Sequence, residues 1–231
     1  MSNIAQILNS SIAKKNTMAL TGLFLITFLV EHLYTNLLIF AGDGGLAFNE
    51  ASHSMVHSIF IRVVEIVLFA AIILHVFQAL SLTRENAKAR PVKYAVSGVN
   101  QTSDWFSRNM GLTGSLILFF IVVHLNNYFV PYRITGTVGD GQEYSIAQCV
   151  VLALRHPGYA GLYLVSVIVL GFHLNHGFQS AFQSIGFNNK TYMPLLKLAG
   201  TGLAILFTVG FGAFPVLIFL FKFCQDILPL N

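Results

Sequence analysis

Charge is what this chain has least of. Only 10% of its 231 residues are Asp, Glu, Lys or Arg, where a soluble globular domain has about one-quarter. So few charges cannot clothe a water-facing surface, which excludes an ordinary soluble domain. Cysteine is nearly absent as well. Cys149 and Cys224 form no C-x-x-C pair, and iron–sulfur ligation would need closely spaced thiolates. No glycine-rich phosphate loop and no dinucleotide fingerprint is present. The formal charge of +4 is no nucleic-acid signal either, because the positive residues lie beside apolar runs. No nucleic-acid partner is expected.

Apolar sequence takes up the room. Hydrophobic residues make up 55% and mean hydropathy is +0.70. Five long apolar stretches, at 18–40, 60–82, 110–131, 159–183 and 200–222, each approach the ~20 residues that cross a ~30 Å hydrocarbon layer. The expected fold is an all-α membrane protein, one transmembrane domain over residues 1–231 with five spans. The first stretch is too long for a cleaved signal peptide and has no small-residue cleavage site after it. Nine of the thirteen positive residues (Lys14, Lys15, Arg84, Lys88, Arg90, Lys93, Arg108, Lys190 and Lys197) fall on one side of these spans. By the positive-inside rule that side, with the N-terminus, is cytoplasmic.

Four histidines lie inside four different spans: His32, His75, His124 and His173. Imidazole is costly in hydrocarbon and usually has a partner there. The spans also repeat. Met18-Ala-Leu-Thr-Gly22 precedes His32-Leu33 as Met110-Gly-Leu-Thr-Gly114 precedes His124-Leu125, at a constant offset of 92 residues. The second and fourth spans match more weakly around His75 and His173, at an offset of 98, each with a small residue, Ala79 or Gly177, four positions on. This reads as a duplicated two-helix unit with a fifth span added, an arrangement that places sites between the halves.

Depth then pairs the histidines. At ~1.5 Å per residue, His32 and His124 lie ~21 Å from the cytoplasmic side, while His75 and His173, on spans running inward, lie ~8–9 Å from it. The two levels differ by about 12 Å. Each pair offers two nitrogens and little else. Zinc and non-heme iron usually take more protein ligands, including thiolate or carboxylate. Heme brings four nitrogens and needs only its two axial positions filled. The expectation is a four-helix, two-heme arrangement: His32 and His124 on an outer heme iron, His75 and His173 on an inner one. With both axial positions filled, the chemistry left is one-electron transfer. Gly22 and Gly114 lie near the inner level, where a missing side chain admits either a porphyrin edge or a neighbouring helix. His176, one turn beyond His173, is the competing fourth ligand. The match of Ala79 to Gly177 favours His173, leaving His176 for a propionate or a helix contact.

These residues carry a resemblance. The run Gly171-Phe-His-Leu-Asn-His-Gly-Phe-Gln-Ser-Ala-Phe182, and Ser107-Arg-Asn-Met-Gly-Leu-Thr-Gly114 leading to His124-Leu125, resemble the cytochrome b subunit of succinate dehydrogenase and fumarate reductase. The type is the single-subunit, five-helix, two-heme anchor of Bacteroidetes and related bacteria. The resemblance covers the whole chain in length, span count and histidine order. It implies two heme b groups on the four histidines and menaquinone as membrane-soluble partner. It also implies a flavoprotein subunit and an iron–sulfur subunit on the cytoplasmic side of a bacterial inner membrane. One position departs. Members similar to the epsilon-proteobacterial fumarate reductases carry a glutamate two residues before the fourth ligand. Gly171 stands there, so that proton route is not carried over.

Quinone chemistry couples electrons to protons and needs an ionisable group within hydrogen-bond reach. Glu31, inside the first span beside His32, is the foremost such group and is expected to be buried; helix bonding is the other reading. Glu65 follows, with Glu50, His53 and His57 near the same surface. His53 and His57 have metal-ligand spacing but are expected in a solvated polar loop without a third ligand. Arg62, Arg108 and Arg155, at span ends, suit heme propionates or simple interfacial anchoring. The segment from Pro131 to Pro157 is expected over the outer heme, with a short helix. Two other readings remain: the cytochrome b anchor of a hydrogenase or formate dehydrogenase, and a transporter whose histidines carry ions or protons.

Overall fold

The computed structural model describes residues 10–89, 108–139 and 141–228. Among them the regular structure is entirely helical: α1 (Ser11–Leu37), α2 (Leu46–His57), α3 (Ile59–Ala89), α4 (Met110–His124), α5 (Ile146–Arg155), α6 (Pro157–Ser184) and α7 (Met193–Pro215). Five stretches are long and apolar enough to cross a membrane: Ser11–Phe40, Ile59–Lys88, Met110–Ile134, Pro157–Ser184 and Met193–Leu220. They match the five expected spans. Three begin or end several residues beyond the apolar cores, because hydropathy does not register the polar turns that continue a helix past the hydrocarbon. Large apolar side chains stand exposed along them, Ile59 (86%), Phe60, Ile66, Ile73, Val165 and Val209 among them. In water such a surface would aggregate; in lipid it is the solvated face.

Two spans change pitch where proline intervenes. α4 continues as a π-helix over Leu125–Ile134 with Pro131 inside it, and α7 ends at Pro215 and passes into a π-helix over Val216–Leu220. Proline offers no N–H and its ring presses on the carbonyl four residues earlier. The chain widens its turn instead of breaking: the Thr135 amide reaches back to the Val130 carbonyl at 2.9 Å.

The described residues form two compact units. The first takes its residues from 1–28, 67–115 and 172–204. Here Lys14 pairs with Glu85, joining α1 to α3. Asn175 Oδ1 accepts from Gln179 Nε2 at 3.1 Å and from Thr201 Oγ1 at 3.0 Å, tying α6 to α7. A Cβ on Gly200 would lie 2.9 Å from the Phe178 ring, so only glycine lets these two helices approach so closely.

The second unit draws on 29–66, 116–171 and 205–231, and α5 organises it. Ile146, Ala147, Val150, Val151 and Leu154 are buried against α2, both π-helices and the short 3-10 turn at Gln225–Ile227. Its start is fixed by a capping box: Ser145 accepts from the Gln148 amide and Gln148 accepts from the Ser145 amide, satisfying donors that a helix start otherwise leaves open. The Ala147 amide donates to Asn49 on α2 at 3.1 Å. α2 starts at Gly45 in the left-handed region (φ +83°), where a Cβ would meet the Ala147 Cβ at 2.8 Å. Asp43 closes the turn by accepting from the Gly45 and Ala47 amides. α2 replaces the polar loop expected around His53 and His57. Its mixed sequence is short of apolar residues but forms a helix because Asp43 supplies the missing cap.

Candidate functional site

The four span histidines come together in twos. In the second unit the rings of His32 on α1 and His124 at the end of α4 have centroids 5.7 Å apart, with planes crossed at 87°. In the first unit His75 on α3 and His173 on α6 are 6.5 Å apart at 68°. Two imidazoles bound to opposite sides of one ion, each nitrogen at about 2.0–2.1 Å, hold their centroids roughly 6.4 Å apart. The 6.5 Å of His75 and His173 is close to that value, and the 5.7 Å of His32 and His124 is about 0.7 Å shorter. Among the described residues no three of His, Cys, Asp or Glu gather as a metal-binding group. Each pair is thus a donor set of two. That is too few for a zinc site of three or four protein ligands and fits a metal that arrives with an equatorial ligand of its own.

The surroundings of the two pairs differ. Beside His75 and His173 the repeat is visible in atomic detail. Thr21 Oγ1 lies 3.2 Å from His75 Nδ1, and Thr113 Oγ1 lies 3.3 Å from His173 Nδ1. The next residue in each copy is a glycine against the same ring. A Cβ on Gly22 would be 3.3 Å from His75 Cε1, and one on Gly114 would be 3.6 Å from His173 Cε1. The glycines expected against a porphyrin edge or a helix therefore pack on imidazole.

Around His32 and His124 the neighbours are aromatic. Phe211 on α7 stands 5.8 Å from His32. Phe120 and Tyr128 flank His124 at 5.6 and 5.3 Å. The Tyr163 hydroxyl on α6 is 3.3 Å from His124 Nδ1, and the Asn36 amide nitrogen is 3.4 Å from His32 Nδ1. Thr21, Thr113, Asn36, Tyr163 and Phe211 were not singled out from sequence. The two threonines carried a signal, since they sit inside the repeated pentapeptide. The aromatic neighbours carried none.

The remaining expected residues scatter. Glu31 is exposed on the outside of α1, not buried as expected; one step from His32 turns it ~100° round the helix. Its Oε1 accepts from Thr35 Oγ1 at 2.6 Å. Glu65 is held between two guanidinium groups, Arg62 Nη1 at 2.6 Å and Arg133 Nε at 3.4 Å, so Arg62 is engaged there. Arg155, at the end of α5, has Nε and Nη2 buried without a hydrogen-bond acceptor, in the unit that holds His32 and His124. Arg108 is exposed just before α4. His176 is half-buried on α6, one turn beyond His173. The rings of His53 and His57 lie 4.2 Å apart on α2 with their planes tilted by 48°, and Glu50 is exposed on that helix. Arg90, Lys93 and Ser107 lie outside the described residues.

Burial pushes the Cys149 thiol up, and burial with the nearby Asp226 carboxylate does the same for Cys224. Both favour the protonated thiol, a poor metal ligand. Models of protein families, curated proteins and solved structures, compared with this chain, give no match.

Proposed function

We propose that this chain is the two-heme cytochrome b membrane anchor of a succinate:quinone oxidoreductase, passing electrons between an iron–sulfur subunit and membrane menaquinone. The observation that carries the heme reading is the pair of histidine pairs, at 5.7 and 6.5 Å, each with one ring from either copy of an internal repeat. His32 and His124 would hold one heme b, and His75 and His173 the other. A heme with both axial positions filled supplies one-electron transfer and leaves no open metal position for a substrate. The choice of partner rests on the resemblance of residues 107–125 and 171–182 to that family. It brings with it a flavoprotein subunit, an iron–sulfur subunit and a bacterial cytoplasmic membrane.

The chain's own residues have definite tasks in this reading. The four histidines bind and orient. Phe120, Tyr128, Phe211 and Tyr163 keep water from one pair. Arg155, with two buried donors and no acceptor, is suited to a propionate carboxylate, and Arg108 is a second cation for the same purpose. Glu31 is exposed on the outside of a membrane-spanning helix, where a lipid-borne quinone travels. It is the group placed to exchange a proton there.

The test is optical. The purified complex should show reduced-minus-oxidised heme α bands and two hemes per chain. His32→Ala and His124→Ala should each lose the same heme, and His75→Ala and His173→Ala the other, halving heme content. A preparation without α bands overturns the reading. Partners other than a flavoprotein and an iron–sulfur subunit would leave the hemes and overturn the choice of complex.

A further inference from the structure

We infer that Thr21 and Thr113 are positioning residues that set the tautomer of His75 and His173, holding the proton on Nδ1 so that Nε2 of each ring is bare and able to bind a metal. The inference rests on the reading of this pair as axial heme ligands and adds to it residues outside the ligand set.

A neutral imidazole has one N–H and one bare nitrogen. Which is which follows from the hydrogen bond the ring makes on its far side. The threonine hydroxyls bear on it, beside the Met18 backbone, which also hydrogen-bonds the His75 ring. Thr113 Oγ1 is 3.1 Å from the Met110 carbonyl. Thr21 Oγ1 is 2.8 Å from the Thr17 carbonyl and 3.1 Å from that of Met18. A carbonyl oxygen only accepts, so each hydroxyl commits its single proton to its own helix. What it turns toward the imidazole, at 3.2 and 3.3 Å, is lone pairs. Nδ1 must then donate, and Nε2 has no proton.

A threonine bonding back to its own helix is common, and one such contact with a histidine would carry little weight. Here the same atoms meet twice, from equivalent positions of the two copies, onto the two rings that face one another. Thr113 is 4% exposed, so water does not compete at that hydroxyl. Gly22 admits the His75 ring to within reach: a methyl group there would stand 3.3 Å from the imidazole, tight enough to push it off the hydroxyl, whereas one at Gly114 would make ordinary contact at 3.6 Å. Beside Nδ1 of the other pair stand an amide nitrogen, at His32, and a phenol, at His124, not hydroxyls bonded back to their own helices, so this device belongs to one pair alone.

An acceptor on Nδ1–H makes the imidazole more basic, which favours ferric over ferrous iron. Removing the acceptor should raise the potential of the heme on His75 and His173 and leave the other heme where it was. The experiment is a spectroelectrochemical titration of the purified complex as wild type, Thr21→Val, Thr113→Val, the double variant and the matching Thr→Ser variants. In the Val variants the ratio of reduced to oxidised heme at fixed potential should rise for one heme only, by up to tenfold, which is about 59 mV for one electron. Serine keeps the hydroxyl and should restore the wild-type value. If valine removes the heme altogether, its retention in the serine variant supports the assignment, and loss in both overturns it. Unchanged potentials in heme-loaded Val variants, or equal shifts in Val and Ser, overturn this inference alone. A wild-type complex without heme overturns the heme reading and this inference with it.

Discussion

Glu31 and His32 are chain neighbours with opposite situations. The imidazole meets His124, while the carboxylate is exposed and accepts from Thr35 in its own helix. No neighbouring helix is served by that bond, so replacing the carboxylate by an amide leaves packing alone. On the proposed function, Glu31→Gln should therefore keep both hemes and slow quinone turnover several-fold at equal heme content, because glutamine keeps size and hydrogen bonding without a titratable proton. Unchanged turnover from pH 6 to 8 would remove Glu31 from quinone chemistry. The four histidines were readable from sequence because a polar ring in an apolar run is conspicuous. Thr21 and Thr113 were less so, since threonine in a helix usually satisfies itself on the backbone. Tyr163 and Phe211 gave no sign, because nothing in a linear sequence says which aromatic of a neighbouring helix turns toward a given ring. Glu65, readable as an ionisable group, proved to be a tie between Arg62 and Arg133, and only the fold brings Arg133 to it.

The five long helices were legible from apolar length alone, which is the one property lipid demands. Their widened turns were not: hydropathy is indifferent to pitch, and Pro131 and Pro215 announce an irregularity without saying whether the helix bends, stops or widens. α2 was hidden because its cap, Asp43, lies before a sequence with no apolar stripe. α5 was expected only as a short helix, although Ser145 and Gln148 spell its capping box. Both short helices are anchored at their first turns, which makes those turns the sensitive places. Ser145→Ala should cost about 1 kcal/mol. Gly45→Ala should cost more, about 2–5 kcal/mol, since it combines a left-handed backbone with a methyl group driven into Ala147. Thermal unfolding in detergent should rank them in that order. Equal midpoints for the two variants would mean that the contact of Gly45 with Ala147 is not formed in the protein.

Orientation is the property of the assembled chain that sequence addresses most directly, through where lysine and arginine fall. The stretch from Arg84 to Arg108 holds five of the nine positive residues assigned to one side, so a reporter or protease site placed there should be cytoplasmic. An exposed site outside the cell would invert the topology and move the docking face proposed for the soluble subunits. Pairing was legible for a different reason. Equal depth on equivalent helices leaves few ways to match four rings, and His32 does meet His124 as His75 meets His173. The repeat has one more result. Thr21 and His75 both belong to the first copy, Thr113 and His173 to the second, so each copy readies its own imidazole. Yet each facing pair takes one ring from either copy. A chain arrested after its second span displays prepared but solitary rings, and any group that needs two axial nitrogens finds no home on it. On the two-heme reading, a half-made product holds no complete axial pair, and loading waits until both halves have arrived.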